Sequence, residues 1–145
     1  MSTPLEKVLL DAKSANRAAL IGYLPAGFPT VAGCKAAIDV LIDAGFDAVE
    51  IGYPYSDPVM DGPIIQSAAD IALNNGVKAK DVIETLSHAT SNGVAAVAMT
   101  YWNPIEKYGV EKFAQSIKEH GGSGVITPDL TIEESDSWKS ATKQH

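Results

Sequence analysis

The fold is decided by residues 47–63, which read D-A-V-E-I-G-Y-P-Y-S-D-P-V-M-D-G-P. The segment from Asp47 to Gly52 predicts a short buried strand, and Pro63 can open a helix because the first helical position needs no hydrogen-bonded amide. A proline-rich loop that carries Asp57 and Asp61 joins the two. Parallel α/β proteins place their active sites beyond the carboxyl ends of their strands, so these acids lie where catalytic groups are expected.

The same alternation of strand and helix extends to both sides of this unit. Further strands are predicted over 18–23, 94–100 and 124–127, and helices over 5–15, 31–44, 63–74, 79–91, 110–119 and from about 133 onward. Parallel neighbours need such crossover helices, which a right-handed connection places outside the sheet. The fold class is therefore α/β, with a single domain expected over residues 1–145. Residues 101–104, Y-W-N-P, are predicted to form a loop with exposed aromatic side chains.

Composition and charge exclude several classes of function. The formal net charge of -7, with lysines scattered singly, gives no basic surface for nucleic acid. The longest apolar run, Val94 to Met99, is too short to span a membrane, and the N-terminus lacks the pattern of a signal peptide. With Cys34 as the only cysteine, no internal disulfide can form. A cytoplasmic location is expected.

The acids of the central unit allow two interpretations each. On the strand, Glu50 alternates with Val49 and Ile51 and so faces away from the helices. Burial there would raise its pKa and suit it to proton transfer, whereas a strand end open to water would give it no such role. Helix N-capping or a favourable interaction with the helix dipole is the simpler role for Asp61, as turn formation is for Asp57. No histidine accompanies these acids in sequence, so a metal site is not expected.

Three side chains end or nearly end their predicted strands: Tyr23, Met99 and Ile126. A shared direction would make them an apolar lining for a flat substrate, and core packing is the alternative.

Four stretches, in order and spacing, carry a resemblance to a known family. They read A-L-I-G-Y-L-P-A-G-F-P over 19–29, E-I-G-Y-P-Y-S-D-P-V-M-D-G-P-I-I-Q over 50–66, M-T-Y-W-N-P over 99–104 and I-T-P-D-L over 126–130. The chain closely resembles the tryptophan synthase alpha chain family. The resemblance implies a TIM (β/α)8 barrel, of which this chain holds an N-terminal helix and about the first four βα units.

The resemblance also implies a reaction: the retro-aldol cleavage of indole-3-glycerol phosphate to indole and glyceraldehyde 3-phosphate, with no cofactor on this chain. Glu50 matches the family's acid/base glutamate, and Asp61 matches the aspartate that stabilises positive charge developing on the indole ring. The family's apolar pocket maps onto Tyr23, Ile65, Met99 and Ile126.

A partner is implied as well. The surface that meets a pyridoxal-phosphate-bearing beta chain, in an α2β2 complex, maps onto Pro54, Asp57, Pro58 and Asn103. The resemblance covers only the first half, or slightly more, of the family's barrel and leaves out its phosphate-binding loops. The isolated 145 residues are therefore expected to be weakly active or inactive. A non-catalytic chain that binds and regulates the beta subunit is the alternative.

Overall fold

Strands and helices alternate along residues 2–145, the part of the chain that the computed structural model describes. The strands are β1 (Ile21–Pro25), β2 (Ala48–Gly52), β3 (Ala95–Met99) and β4 (Val125–Ile126). The helices are α1 (Pro4–Ser14), α2 (Val31–Asp43), α3 (Pro63–Asn74), α4 (Ala79–Ser91), α5 (Trp102–Tyr108), α6 (Val110–Glu119) and α7 (Asp136–Gln144). None of the helices in this part of the chain is long and apolar enough to cross a membrane.

The four strands form one parallel sheet in the order β1-β2-β3-β4. Each strand pairs with the next along the chain, so all four carboxyl ends lie at the same edge of the sheet. In the register, Tyr23 pairs with Glu50, and Glu50 pairs with Val97. The strand-end loops of β1, β2 and β3 are thereby brought side by side.

The hydrophobic core lies between one face of the sheet and the helices. From β2, Val49 and Ile51 enter it at 1% and 0% exposure, where they join Ile38 of α2 and Leu86 of α4. Successive strand residues point to opposite faces. Glu50, between the two buried residues, therefore points away from the core.

Phe113 of α6 is fully buried, with its ring 5.6 Å from that of Tyr108 and 6.4 Å from that of Trp138. We expect Phe113→Ala to lower the free energy of unfolding by about 3–5 kcal/mol, because the lost ring leaves a cavity that the helices fill only in part. Urea unfolding measures the change. The exposed Val40→Ala serves as the control, and a loss of similar size there would contradict a specific packing role for Phe113.

Most predicted elements are confirmed, and the first strand is displaced. It was predicted over 18–23 and forms over Ile21–Pro25. Pro25 can end this strand because the adjoining bond to β2 is donated by the Ala26 amide, which lies 2.8 Å from the Gly52 carbonyl oxygen, and needs no N–H from Pro25. The residues before β1 are held instead by Asp47, whose carboxylate accepts from the Leu20 amide at 2.8 Å and pairs with Arg17.

The prediction of an exposed loop over 101–104 is wrong. Tyr101 is only 2% exposed, and α5 begins at Trp102. The carboxylate of Asp129 accepts from the Trp102 amide at 2.9 Å, and Pro104 is tolerated because it lies in the first helical turn. The last helix begins at Asp136, later than predicted.

Candidate active site at the strand ends

Four of the predicted site residues lie on one face of the sheet, opposite the core. Paired residues of a parallel sheet point to the same side, and the register joins Tyr23 to Glu50 and Met99 to Ile126. Gly52 pairs with Met99 and so links the two pairs. The side chains of Tyr23, Glu50, Met99 and Ile126 therefore share this face.

Among the residues that the structure describes, Glu50 is the only acid that a strand places on this face. Its side chain is half-buried, and its carboxylate has no hydrogen bond or ion pair with any residue in the range 2–145. Burial raises the pKa of Glu50 above its ordinary value. A carboxyl group with a raised pKa and no partner is suited to accept and donate protons near neutral pH.

Tyr23 lies directly over Gly52. A Cβ added at Gly52 would come within 2.2 Å of the Tyr23 hydroxyl oxygen, so the glycine makes the room that the phenol ring occupies. Burial raises the pKa of Tyr23, and the negative charges of Asp61 and Glu50 raise it further. Both acids therefore lie close enough to this phenol for their charges to act on it.

Because of this close approach, we expect Gly52→Ala to lower the free energy of unfolding by about 1–3 kcal/mol, the usual cost of overpacking. Urea unfolding measures it. The matched control is Gly124→Ala, where an added Cβ meets nothing within 4 Å. In a Tyr23→Ala background the cost should largely disappear, and an unchanged cost there would show that the clash lies elsewhere.

Asp61 lies in the loop between β2 and α3. The alternative role of helix capping is wrong, because the N-cap of α3 is Gly62 and no side chain caps the helix. Within the described part of the chain, the Asp61 carboxylate accepts no hydrogen bond, whereas its backbone carbonyl accepts one from Gln66 at 2.7 Å. The backbone is held while the carboxylate stays free to meet a ligand.

The predicted apolar residues fall into two groups around Glu50. Ile65 of α3 and Tyr23 line one apolar groove between α3 and β1, together with Pro25. Met99 and Ile126 lie on the other side of Glu50, on β3 and β4, and Ile126 remains 44% exposed. No single enclosed pocket among the described residues contains all four.

The residues predicted to meet a partner lie in the loop after β2 and in the first turn of α5. Asp57 is exposed, and its carboxylate accepts from the Ser56 hydroxyl at 2.6 Å, as expected for turn chemistry. Asn103 donates its side-chain amide to the Tyr55 hydroxyl at 2.8 Å, which joins the loop after β2 to α5. Pro58 is half-buried and Pro54 is buried, so Pro54 presents little surface.

Sequence reasoning missed three residues at this edge: Gly52, Tyr55 and Tyr101. Tyr55 and Tyr101 pack together with ring centroids 5.4 Å apart, and they are far apart in sequence. Periodicity carries no signal for such a pair. No group of three histidine, cysteine, aspartate or glutamate residues within 2–145 is placed to hold a metal ion.

Comparisons with known proteins identify what this arrangement resembles. The family model described as tryptophan synthase alpha chain matches residues 9–145. The tryptophan synthase alpha chain of Thermobifida fusca is 51% identical over 140 residues, which are 97% of this chain and 52% of that protein. The alpha chain of Streptomyces avermitilis is 51% identical over 142 residues, 97% of this chain and 51% of that protein.

Solved structures agree in fold. Tryptophan synthase from Mycobacterium tuberculosis in space group F222 superposes with a TM-score of 0.96 at 44% identity, covering 100% of this chain and 56% of that one. The tryptophan synthase subunit alpha of Legionella pneumophila gives a TM-score of 0.94 at 32% identity, covering 100% of this chain and 56% of that one. The chain spans about half the length of the curated relatives that it matches.

Proposed function

The chain belongs to the tryptophan synthase alpha chain family, and from this premise we propose that the protein it forms cleaves indole-3-glycerol phosphate to indole and glyceraldehyde 3-phosphate. Its four βα units are part of the TIM barrel of that family. The reaction breaks the carbon–carbon bond between indole C3 and the glycerol phosphate side chain. It needs a proton at C3 and the removal of a proton from the side-chain hydroxyl.

Glu50 is the proposed acid and base for these proton transfers. The observation that carries the proposal is its half-buried carboxylate, without a partner in the range 2–145, on the same sheet face as Tyr23, Met99 and Ile126. A raised pKa lets the group hold a proton and release it to C3. The apolar side chains of Tyr23, Met99, Ile126 and Ile65 are proposed to hold the flat indole ring.

Asp61 is proposed to stabilise the ring while it is protonated. Protonation at C3 places positive charge on the indole nitrogen, and a fixed carboxylate opposite that charge lowers the barrier. The free carboxylate of Asp61 and its charge effect on Tyr23 support this role. No cofactor is proposed for this chain.

The direct test supplies indole-3-glycerol phosphate to the complete gene product and measures indole release. We expect a rate of indole release that is proportional to enzyme concentration and needs no added cofactor. No indole above the uncatalysed rate would overturn the proposed reaction.

A beta chain carrying pyridoxal phosphate is the proposed partner, in an α2β2 complex, and indole is the compound passed to it. Asp57, Pro58, Asn103 and the accessible part of Pro54 are the proposed contacts, since they lie together at the edge where the site opens. A cytoplasmic location remains part of this proposal. Co-purification with the beta chain, and its loss on charge reversal at Asp57, tests the contact.

A further inference from the structure

The loop that carries Asp61 has no regular secondary structure of its own. Residues 53–62 connect β2 to α3, and the side chains of Val59 and Met60 are 75% and 63% exposed. A surface loop of this kind moves unless tertiary contacts hold its backbone. Asp61 can act as a fixed charge only if such contacts exist.

One contact comes from Tyr101, which follows β3. The Met60 amide donates a hydrogen bond to the Tyr101 hydroxyl at 3.1 Å, across 41 positions of the sequence. The Tyr101 ring is 2% exposed and packs against Tyr55, with ring centroids 5.4 Å apart. This packing fixes the position of the Tyr101 hydroxyl. The ring is therefore shielded from solvent.

A second contact comes from Gln66, in the first turns of α3. Its side-chain amide donates to the Asp61 carbonyl at 2.7 Å. The two hydrogen bonds therefore hold the backbone on both sides of the Asp61 side chain. One is donated by the Met60 amide, and the other is accepted by the Asp61 carbonyl. Neither uses the carboxylate, which is left free for charge stabilisation.

We propose that Tyr101 and Gln66 are positioning residues that fix the Asp61 backbone and so orient its carboxylate toward the substrate. This inference rests on the proposed function, in which Asp61 faces positive charge in the transition state. Tyr101 contributes more to this positioning than Gln66, because the Tyr101 ring is buried. Gln66 is exposed, so water can replace its side-chain amide as the donor.

The test is Tyr101→Phe in the complete gene product, which keeps the ring and its packing and removes only the acceptor. We expect kcat for indole formation to fall by about 10- to 100-fold with KM within about two-fold, because a misplacement of about 1 Å can cost 10²-fold. Exchange of the Met60 amide, followed by NMR, should become faster. Gln66→Met, which keeps the side-chain length and loses the donor, should give a smaller fall in kcat.

The matched control is Tyr108→Phe, since the Tyr108 hydroxyl bonds to Ser116, 3.2 Å away, on α6 and makes no hydrogen bond to the loop 53–62. Its kcat should match that of the unaltered protein. The decisive comparison is Tyr101→Phe in an Asp61→Asn background, where it should lower kcat no further. A full additional loss there would overturn the proposal, as would an unchanged kcat in the single variant despite faster exchange.

Failure of the proposed function gives a different result. If the unaltered protein forms no indole, the proposed reaction is wrong. Amide exchange then still tests whether Tyr101 positions the backbone at Asp61. Unchanged exchange of the Met60 amide in Tyr101→Phe would then overturn it. Faster exchange of this amide, with exchange elsewhere unchanged, would support it.

Discussion

Replacing Glu50 by glutamine in the complete gene product is expected to lower the rate of indole formation by about 10²–10⁴-fold, the usual contribution of a general acid or base. Glutamine keeps the size and the hydrogen-bonding reach of the side chain and cannot transfer a proton. The substrate should bind nearly as before, so the loss should fall on kcat with little change in KM. Steady-state indole release measures both constants.

Stability separates a chemical loss from a folding defect in this variant. Burial raises the pKa of Glu50 in the folded state, so the ionised carboxylate costs stability at neutral pH. That cost is absent below the ordinary glutamate pKa of about 4.3 and grows as pH rises through the folded value. Glu50→Gln should therefore unfold at the same or a higher urea concentration than the unaltered protein at pH 7, with the difference vanishing near pH 4.

The same variant distinguishes an enzyme from a chain that only binds and regulates the beta subunit. Under both hypotheses the partner surface at Asp57, Pro58 and Asn103 is intact, so stimulation of the beta reaction should persist. Retention of full indole formation in Glu50→Gln would remove Glu50 from the mechanism. Stimulation of the beta chain by a protein that never forms indole would favour the regulatory alternative.

Asp61→Asn is expected to lower kcat by about 10²–10³-fold, the usual effect of removing one preorganised group that faces charge in a transition state. Asparagine has the same shape, and the two backbone hydrogen bonds that hold this position do not involve the side chain. The loop should therefore keep its conformation and lose only the charge. Indole release again measures the effect.

The control for charge removal is Asp70→Asn, on the exposed surface of α3 and away from the strand ends. Its kcat should equal that of the unaltered protein. An equal loss in both aspartate variants would mean that the net charge of the protein, and not the position of Asp61, matters. An unchanged rate in Asp61→Asn would contradict its proposed role.

Much of the fold could be predicted because its signals are local. The run 95–99 is wholly apolar and the run 48–52 is apolar except for Glu50, and turn residues lie near both. Helices α3, α4 and α6 have the bounds that proline, glycine and apolar spacing indicate. The direction of Glu50 followed from the two-residue period of a strand. Each of these properties depends on residues within a few positions of one another.

The errors come from interactions between distant segments. Residues 101–104 were predicted to be an exposed loop, yet α5 begins there because Asp129 of another loop caps it and because the core buries Tyr101. The capping role for Asp61 was the natural local interpretation, and it is wrong because Gly62 takes that position. No pattern within either segment carries this information.

By itself, the sequence determined an α/β chain of alternating strands and helices, with the side chain of Glu50 on β2 pointing away from the core. Its specific motifs also indicated the family, which the comparisons confirm. Only the tertiary structure decided that the phenol of Tyr23 lies over Gly52 beside both acids, and that Tyr101 holds the loop of Asp61. The reason is physical: periodicity specifies which face of an element is buried, whereas contacts across 41 positions exist only once the parallel sheet has set its strands side by side.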